Sequence, residues 1–298
     1  MNVNKKIACI IVTYNRLELL KRCVKSIEDQ SCIFFDTIIV NNGSTDGTEN
    51  WLETKTNSIY VINQENQGGA GGFYAGMKYA YKNGYEWLWL MDDDGIADKY
   101  QLRELLFAAE KNHLYYLNAL VCNINNPEKL TFGLKSKYIN LESKGEAQQQ
   151  TLVFNCINPF NGTFIHRTVI DKIGFIKKEM FIWGDEQEYM FRAIKNGFQL
   201  ATVTSAIHYH PLPTWSVKQV FPFCKKYIIA EPPSNRMRIY FRNLGYLQIR
   251  YYTFRNIMRS VILYPLYFFR KMQMKKVILF WIYYIRGILG IFNIKENK

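Results

Sequence analysis

Five large apolar residues in a row, Trp87-Leu88-Trp89-Leu90-Met91, end abruptly in three consecutive carboxylates, Asp92, Asp93 and Asp94. Such a run suits a strand buried on both faces, as in a parallel sheet covered by helices, with the acids emerging at its C-terminal end. That end is where open α/β sheets bind ligands. Adjacent carboxylates repel one another, and a cation is one means of holding them at a buried edge. Asp92 and Asp94 share one face of an extended chain. They can therefore offer hard oxygens to one divalent ion and leave its other positions open. The triplet alone fits a solvated acidic turn equally well. An EF-hand loop beginning at Asp92 is excluded, because Ile96, Ala97 and Arg103 stand where that loop needs an oxygen ligand, Gly and Glu.

The rest of the chain supports an α/β reading. Ile7 to Val12 is a strand pattern, Leu17 to Gln30 an amphipathic helix, Phe35 to Val40 a strand, and Thr48 to Thr54 a helix. Ile59 to Asn63 continues as a strand, Phe73 to Lys82 as a helix, and Glu86 to Met91 as the strand delivering the triplet. Alternation of this kind implies parallel, right-handed crossovers. From Asn112 to Gln150 the pattern weakens toward hairpins or a variable insertion, and from Phe154 to His210 ordered signals return. Hydrophobic residues at 48% and aromatics at 16% exclude a disordered chain. Six cysteines, at 9, 23, 32, 122, 156 and 224, show no CxxC spacing and read as reduced thiols. Met1 to Lys6 leads straight into a strand without the apolar core of a signal peptide, so no export is expected.

Charge is concentrated at one end. From Arg236 to Lys298 there are 13 Lys and Arg against the single acid Glu296, so this segment carries +12 of the net +13. Its basic residues alternate with apolar runs, Val261 to Phe269 and Val277 to Ile285, each about half of the ~20 residues that a spanning helix needs. Val277 to Ile294 is nearly long enough to insert, but Arg286 in its middle costs roughly 2.5–3.5 kcal/mol. A basic amphipathic helix lying on an anionic membrane surface fits better. A helical partner-binding surface is the alternative, and no RNA-binding module signature is present.

Three further constellations could carry chemistry. In Asn66-Gln67-Gly68-Gly69-Ala70-Gly71-Gly72-Phe73 the glycines either let backbone amides approach a phosphate or sugar, or form a plain flexible loop. The segment is neither a Rossmann fingerprint nor a P-loop. In Phe181 to Tyr189, the acids Asp185, Glu186 and Glu188 open a helix, where acids commonly just complement the dipole. Trp183 beside them could instead desolvate a carboxylate and stack on a sugar ring, which suits a general base. Finally His208 and His210 follow a strand-like run, and either imidazole could complete a cation site with Asp92 and Asp94.

In their order, Val12 to Arg16, Val40 to Thr48, the Asp triplet, Phe160-Asn161-Gly162-Thr163 and the Trp183 to Glu188 block resemble family 2 glycosyltransferases of the GT-A fold. They cover roughly residues 7 to 210. The glycine segment, the full Asp-Asp-Asp, Trp183 before the acids and Tyr240-Phe241-Arg242-Asn243 resemble galactofuranosyltransferases in particular; rhamnosyltransferases share the outline. The resemblance implies a mostly parallel central sheet flanked by helices, with a GT-A domain over residues 1–210 and a basic, aromatic-rich helical region over 211–298. It implies inverting transfer from a nucleotide-diphosphate sugar, with Asp92, Asp94 and His210 holding Mn²⁺ or Mg²⁺ and His208 as the rival ligand. Glu186 would be the base, with Asp185 its rival. Thr13, Asn15, Arg16, Asn42, Gly68, Gly69, Gly71, Gly72, Asp92 and Asp93 would bind the donor, and Trp183, Asn161 and Gly162 the acceptor. Asn41 stands where the family often has Asp, and Glu186 where it usually has Asp.

The expected partners are the donor, a lipid-linked saccharide of a surface glycan and the inner face of the cytoplasmic membrane, with no nucleic acid. A rhamnosyl or other hexosyl transferase is the nearest alternative, and a non-catalytic glycan-binding module the remote one.

Overall fold

The computed structural model describes residues 6–31, 34–55, 58–136, 138–212, 216–222 and 224–293. The start Met1 to Lys6 (save Lys6), Cys32 and the tail beyond 293 thus lie outside the described residues. The chain forms two compact units: Met1–Lys178 with Tyr189–Pro213, and Glu179–Glu188 with Thr214–Lys298.

The first unit runs β1 (Ile7–Thr13), α1 (Leu17–Glu28), β2 (Asp36–Asn41), α2 (Thr48–Glu53), β3 (Ile59–Asn63), α3 (Gly68–Lys82), β4 (Trp87–Asp92), β5 (Ile96–Ala97) and α4 (Gln101–Asn112). It continues with β6 (Tyr116–Asn123), β7 (Asn126–Lys135), β8 (Asn140–Ser143), α5 (Lys144–Ala147), β9 (Leu152–Phe154), β10 (Thr163–His166) and α6 (Arg167–Ile173). A 3-10 turn at Lys178–Met180 precedes α7 (Asp185–Lys195), whose start through Glu188 is counted with the second unit, and β11 (Leu200–His210) closes the first. Its sheet has the order β3-β2-β1-β4-β10-β6-β11-β5. Strands β3, β2, β1 and β4 are parallel, β10 enters antiparallel between β4 and β6, and β6 and β11 are parallel to each other. The sheet is therefore mostly parallel, as expected.

Both faces of the sheet are covered, which explains the unbroken apolar run of β4. Trp87, Trp89 and Met91 join Ile7, Cys9 and Ile11 in one core with Leu20, Cys23, Val24 and Ile27 of α1. Leu88 and Leu90 join Ala8, Ile10 and Val12 in the other, under Phe73 and Met77 of α3. Alternate residues of one strand thus serve opposite cores, each large side chain contributing roughly 1.5–3 kcal/mol on burial. Among the described residues Cys9, Cys23, Cys122 and Cys156 are free and buried.

The structure departs from expectation in three places. Helix α3 begins at Gly68 rather than Phe73, so the glycine segment is the first turn of the helix and not a loop before it. Strand β6, fully buried, lies inside the stretch whose pattern weakened. Its one polar interior residue, Asn118, is satisfied by Thr163 Oγ1 and the Ala119 carbonyl. After Pro211 the chain does not turn directly helical. An antiparallel hairpin, β12 (Ser216–Phe221) and β13 (Cys224–Glu231), comes first.

The second unit is that hairpin with α8 (Met237–Tyr251), α9 (Phe254–Arg270) and α10 (Met274–Ile288). Phe241, Tyr264, Phe268, Phe280 and Tyr284 form its aromatic core. Helices α8 and α10 pack backbone to backbone: a Cβ on Gly245 would overlap the Tyr284 carbonyl, and one on Gly287 the Arg242 carbonyl. Among the described residues no helix is long and apolar enough to cross a membrane.

Candidate active site

Strand β4 delivers the triplet at the C-terminal edge of the sheet, with Val12 of β1 in register beside Asp92. The three carboxylates then diverge. Asp93 turns toward β1, accepting from Thr13 Oγ1 at 2.8 Å and from Arg16 Nη1 at 3.1 Å. The same Arg16 nitrogen donates to Asp94 Oδ2 at 2.8 Å. Asp92, Asp94 and His210 each bring one donor atom within 4.8 Å of the others. Burial, and after it the charges of Asp94 and Asp93, pushes the Asp92 carboxyl up to about 7. Asp93 is pushed up to about 6, burial outweighing the Arg16 charge. Burial works the same way on Asp94, but His210 and Arg16 prevail and hold that carboxyl below its ordinary value.

The two histidines, side by side at the end of β11, have different surroundings. His210 Nδ1 lies 2.6 Å from the Pro211 carbonyl, so it carries the proton and leaves the Nε2 lone pair free. That Nε2 is 3.2 Å from the buried Asp94 Oδ1, an ion pair when the ring is protonated. Protonated, the ring pairs with Asp94 through this contact; neutral, it offers Nε2 beside two carboxylates, and such an O,O,N set suits Mn²⁺ or Mg²⁺ in place of the proton. His208 is instead fully buried, with Nδ1 3.2 Å from the Gln101 amide and Nε2 packed on Gly95. Burial, then the neighbouring His210, pushes it down to about 3, so it stays a neutral core imidazole. Phe132, a residue without a prior signal, lays its ring against His210 at a centroid distance of 5.2 Å.

The loops after β1 and β2 meet the first turn of α3. Asn15, at φ 52°, accepts from Thr45 N through Oδ1 at 2.6 Å, and its amide donates to Ser44 Oγ at 3.0 Å. Asn42 is buried, with Nδ2 donating to the Gly68 carbonyl at 3.0 Å and Oδ1 accepting from Gln64 at 2.6 Å. A Cβ on Gly72 would run into Val12, and one on Gly71 into Gln67, whereas Gly69 faces open space. Gly71 and Gly72 thus serve close packing, and Gly69 keeps backbone accessible at the helix N-terminus. Asn161 and Gly162 precede β10; Asn161 is buried with Oδ1 unpartnered, and Gly162 abuts Gln101 and Ala119.

The second acidic block belongs to the other compact unit. Trp183 and Gly184 lead into α7, and Glu186 Oε2 accepts from the Gly184 amide at 3.0 Å. Asp185 is buried, and Glu188 is buried against Tyr251, whose hydroxyl donates to it at 3.0 Å. The Trp183 ring packs edge-on to Tyr240, with the Arg236 guanidinium 5.6 Å from its centroid. Arg242 and Asn243, quoted above only as part of a downstream motif, hold the carbonyls of this segment.

The model of the family described as Glycosyl transferase family 2 matches residues 8–174. The galactofuranosyltransferase GlfT1 of Mycobacterium tuberculosis (strain ATCC 25618 / H37Rv) is 30% identical over 82% of this chain and 83% of its own length. GlfT1 of Mycolicibacterium smegmatis is 28% identical over 83% and 84%, and the dTDP-rhamnosyl transferase RfbF of Shigella flexneri 23% over 72% and 72%. Among solved structures, S. aureus TarS 1-349 aligns with a TM-score of 0.59 at 15% identity, covering 95% of this chain and 81% of TarS. GalNAc-T7, solved with UDP, GalNAc and Mn²⁺, aligns with a TM-score of 0.57 at 14% identity, covering 81% and 48%. The sheet order, the acids at the end of β4 and this match over more than half of the sequence make the chain a glycosyltransferase of family 2 with the GT-A fold.

Proposed function

We propose that the protein transfers galactofuranose from UDP-galactofuranose, with inversion, to a lipid-linked saccharide acceptor in surface-glycan assembly. The observation that carries this is the Asp92–Asp94–His210 cluster at the C-terminal edge of the parallel sheet. A divalent cation bound there supplies positive charge to the diphosphate as the nucleotide departs. Thr13, Asn15 and Arg16 line the donor side with the open Gly69 backbone, and Arg16, linked to Asp93 and Asp94, is a second cation for the diphosphate. Glu186 is the base that takes the acceptor hydroxyl's proton as that oxygen attacks the anomeric carbon; a single displacement inverts configuration. Trp183 is an apolar face for a sugar ring.

The choice of galactofuranose is supported by the 30% identity with GlfT1. RfbF at 23% keeps dTDP-rhamnose as the second donor. Attachment to the inner membrane surface is supported by exposed Ile262, Phe269, Ile278, Ile282, Ile285 and Leu289 on and after α9 and α10, interspersed with Arg255, Lys271 and Lys275. Nucleotide release from UDP-galactofuranose, UDP-galactopyranose and dTDP-rhamnose, with Mn²⁺ and lipid-linked acceptors, tests the assignment. Selective UDP release from the furanose donor is expected. Release only from dTDP-rhamnose retains the chemistry and overturns the donor.

A further inference from the structure

The segment between Met180 and Gly184 has a backbone that its sequence does not favour. Phe181, Trp183 and Gly184 have φ of 67°, 63° and 97°. For bulky aromatic residues such conformations are strained and persist only where surroundings over-determine them. One buried side chain of α8 provides that restraint. Asn243 Nδ2 stands 2.9 Å from the Met180 carbonyl, 2.9 Å from that of Ile182 and 2.8 Å from that of Trp183. Two amide hydrogens are thus shared among three carbonyls of a single loop. The orientation of the amide is settled by Arg242, whose Nε donates to Asn243 Oδ1 at 3.0 Å. Arg242 Nη2 adds a bond to the Met180 carbonyl at 2.9 Å, and Nη1 one to that of Phe292 at 2.8 Å. Both side chains are buried.

The loop hands this restraint to the acid. Asn243 grips the carbonyl of Trp183; the amide of the same peptide unit belongs to Gly184 and donates to Glu186 Oε2 at 3.0 Å. Asn243 Cβ and Leu247 also lie directly under Gly184, where a side chain would strike Leu247. Rotation of the 183–184 peptide would therefore break the Asn243 contact and the Glu186 contact together.

We propose that Asn243, oriented by Arg242, is a positioning residue that sets the pose of the Trp183–Gly184 peptide and through it the Glu186 carboxylate. The role rests on Glu186 being the base. An ordinary buried amide would affect stability alone, whereas a positioning residue acts through Glu186 and loses its effect when Glu186 no longer accepts a proton.

A double-mutant cycle on the full-length protein, measured as kcat with the donor that the nucleotide-release panel identifies, separates the two. Asn243→Ala is expected to lower kcat about 100-fold, the scale of a roughly 1 Å misplacement, with nucleotide affinity unchanged. In a Glu186→Gln background the same change is expected to cost less than about 3-fold, because groups acting as a unit are non-additive. Arg242→Lys, which keeps the charge and removes the fork, is expected to lower kcat less and with the same non-additivity. It carries the cycle where Asn243→Ala does not fold. An equal loss in both backgrounds, or a loss accompanied by weakened nucleotide binding, overturns the positioning role and leaves the base assignment standing. Wild-type kcat in Glu186→Gln itself removes the base assignment, and the positioning role with it.

Discussion

His210 Nε2, at the end of β11, and Asp94 Oδ1, in the turn after β4, face each other at 3.2 Å, with the other ring nitrogen of His210 bonded to the Pro211 carbonyl. A divalent ion would replace this contact with two metal–ligand bonds. His210→Ala and Asp94→Asn should each weaken Mn²⁺ binding by at least ~10-fold, as read by titration calorimetry. His208→Ala should leave Mn²⁺ affinity within about 2-fold while lowering Tm, since that ring is core packing. Equal losses of affinity at 208 and 210 would remove the distinction.

The raised Asp92 carboxyl makes metal-free stability depend on pH in a definite direction. Between its unfolded value of ~3.9 and its native value of about 7 the folded protein holds a proton that the unfolded chain has released, so stability falls as pH rises. His210 is also held above its ordinary value: burial opposes this, but Asp94 prevails, so its contribution is likewise lost as pH rises above ~6.5. Below ~6.5 the neutral buried His208 opposes this trend, so the metal-free Tm should fall from about pH 6.5 to about pH 8, less steeply in Asp92→Asn. Added Mn²⁺ should raise Tm more at the upper end. A slope identical in wild type and Asp92→Asn would count against the burial of that charge.

Gly72 brings α3 against Val12 of β1 more closely than any side chain permits. Gly72→Ala should destabilise the protein by about 1–3 kcal/mol through overpacking, by denaturant unfolding. Displacing α3 should also weaken nucleotide binding, because Asn42 bonds to the Gly68 carbonyl at the start of the same helix. Gly69→Ala, with open space around it, serves as the control for packing and should change stability by less than about 1 kcal/mol.

Exposed apolar residues of α10 provide a test of membrane attachment. Ile278, Ile282 and Ile285 are exposed at 57%, 50% and 46%, and their combined replacement by Ser should cut co-sedimentation with anionic vesicles at least ~10-fold. Turnover of a water-soluble acceptor should persist. Undiminished vesicle binding would assign the surface to another partner.

Much of this was legible in the sequence because it is local. The β4 run and its acids, and the alternation of strands and helices, depend on periodicity and on residues adjacent in the chain, so the parallel sheet and its acidic edge follow from the pattern along the strands. The resemblance put His210 before His208, but the physical difference between two chemically identical side chains two residues apart is tertiary. Only the packing of Gly95 and Gln101 on one, and the Pro211 carbonyl and Asp94 on the other, distinguishes them. The same holds for β6, where the buried Asn118 is satisfied by Thr163 from a distant strand, and for Asn243, which lies some 60 residues from the carbonyls it holds. Sequence determines which groups are available and which face of an element they share. Which of them meet is decided by contacts between distant segments, because the cost of burying a polar group is met by a partner that no local pattern can name.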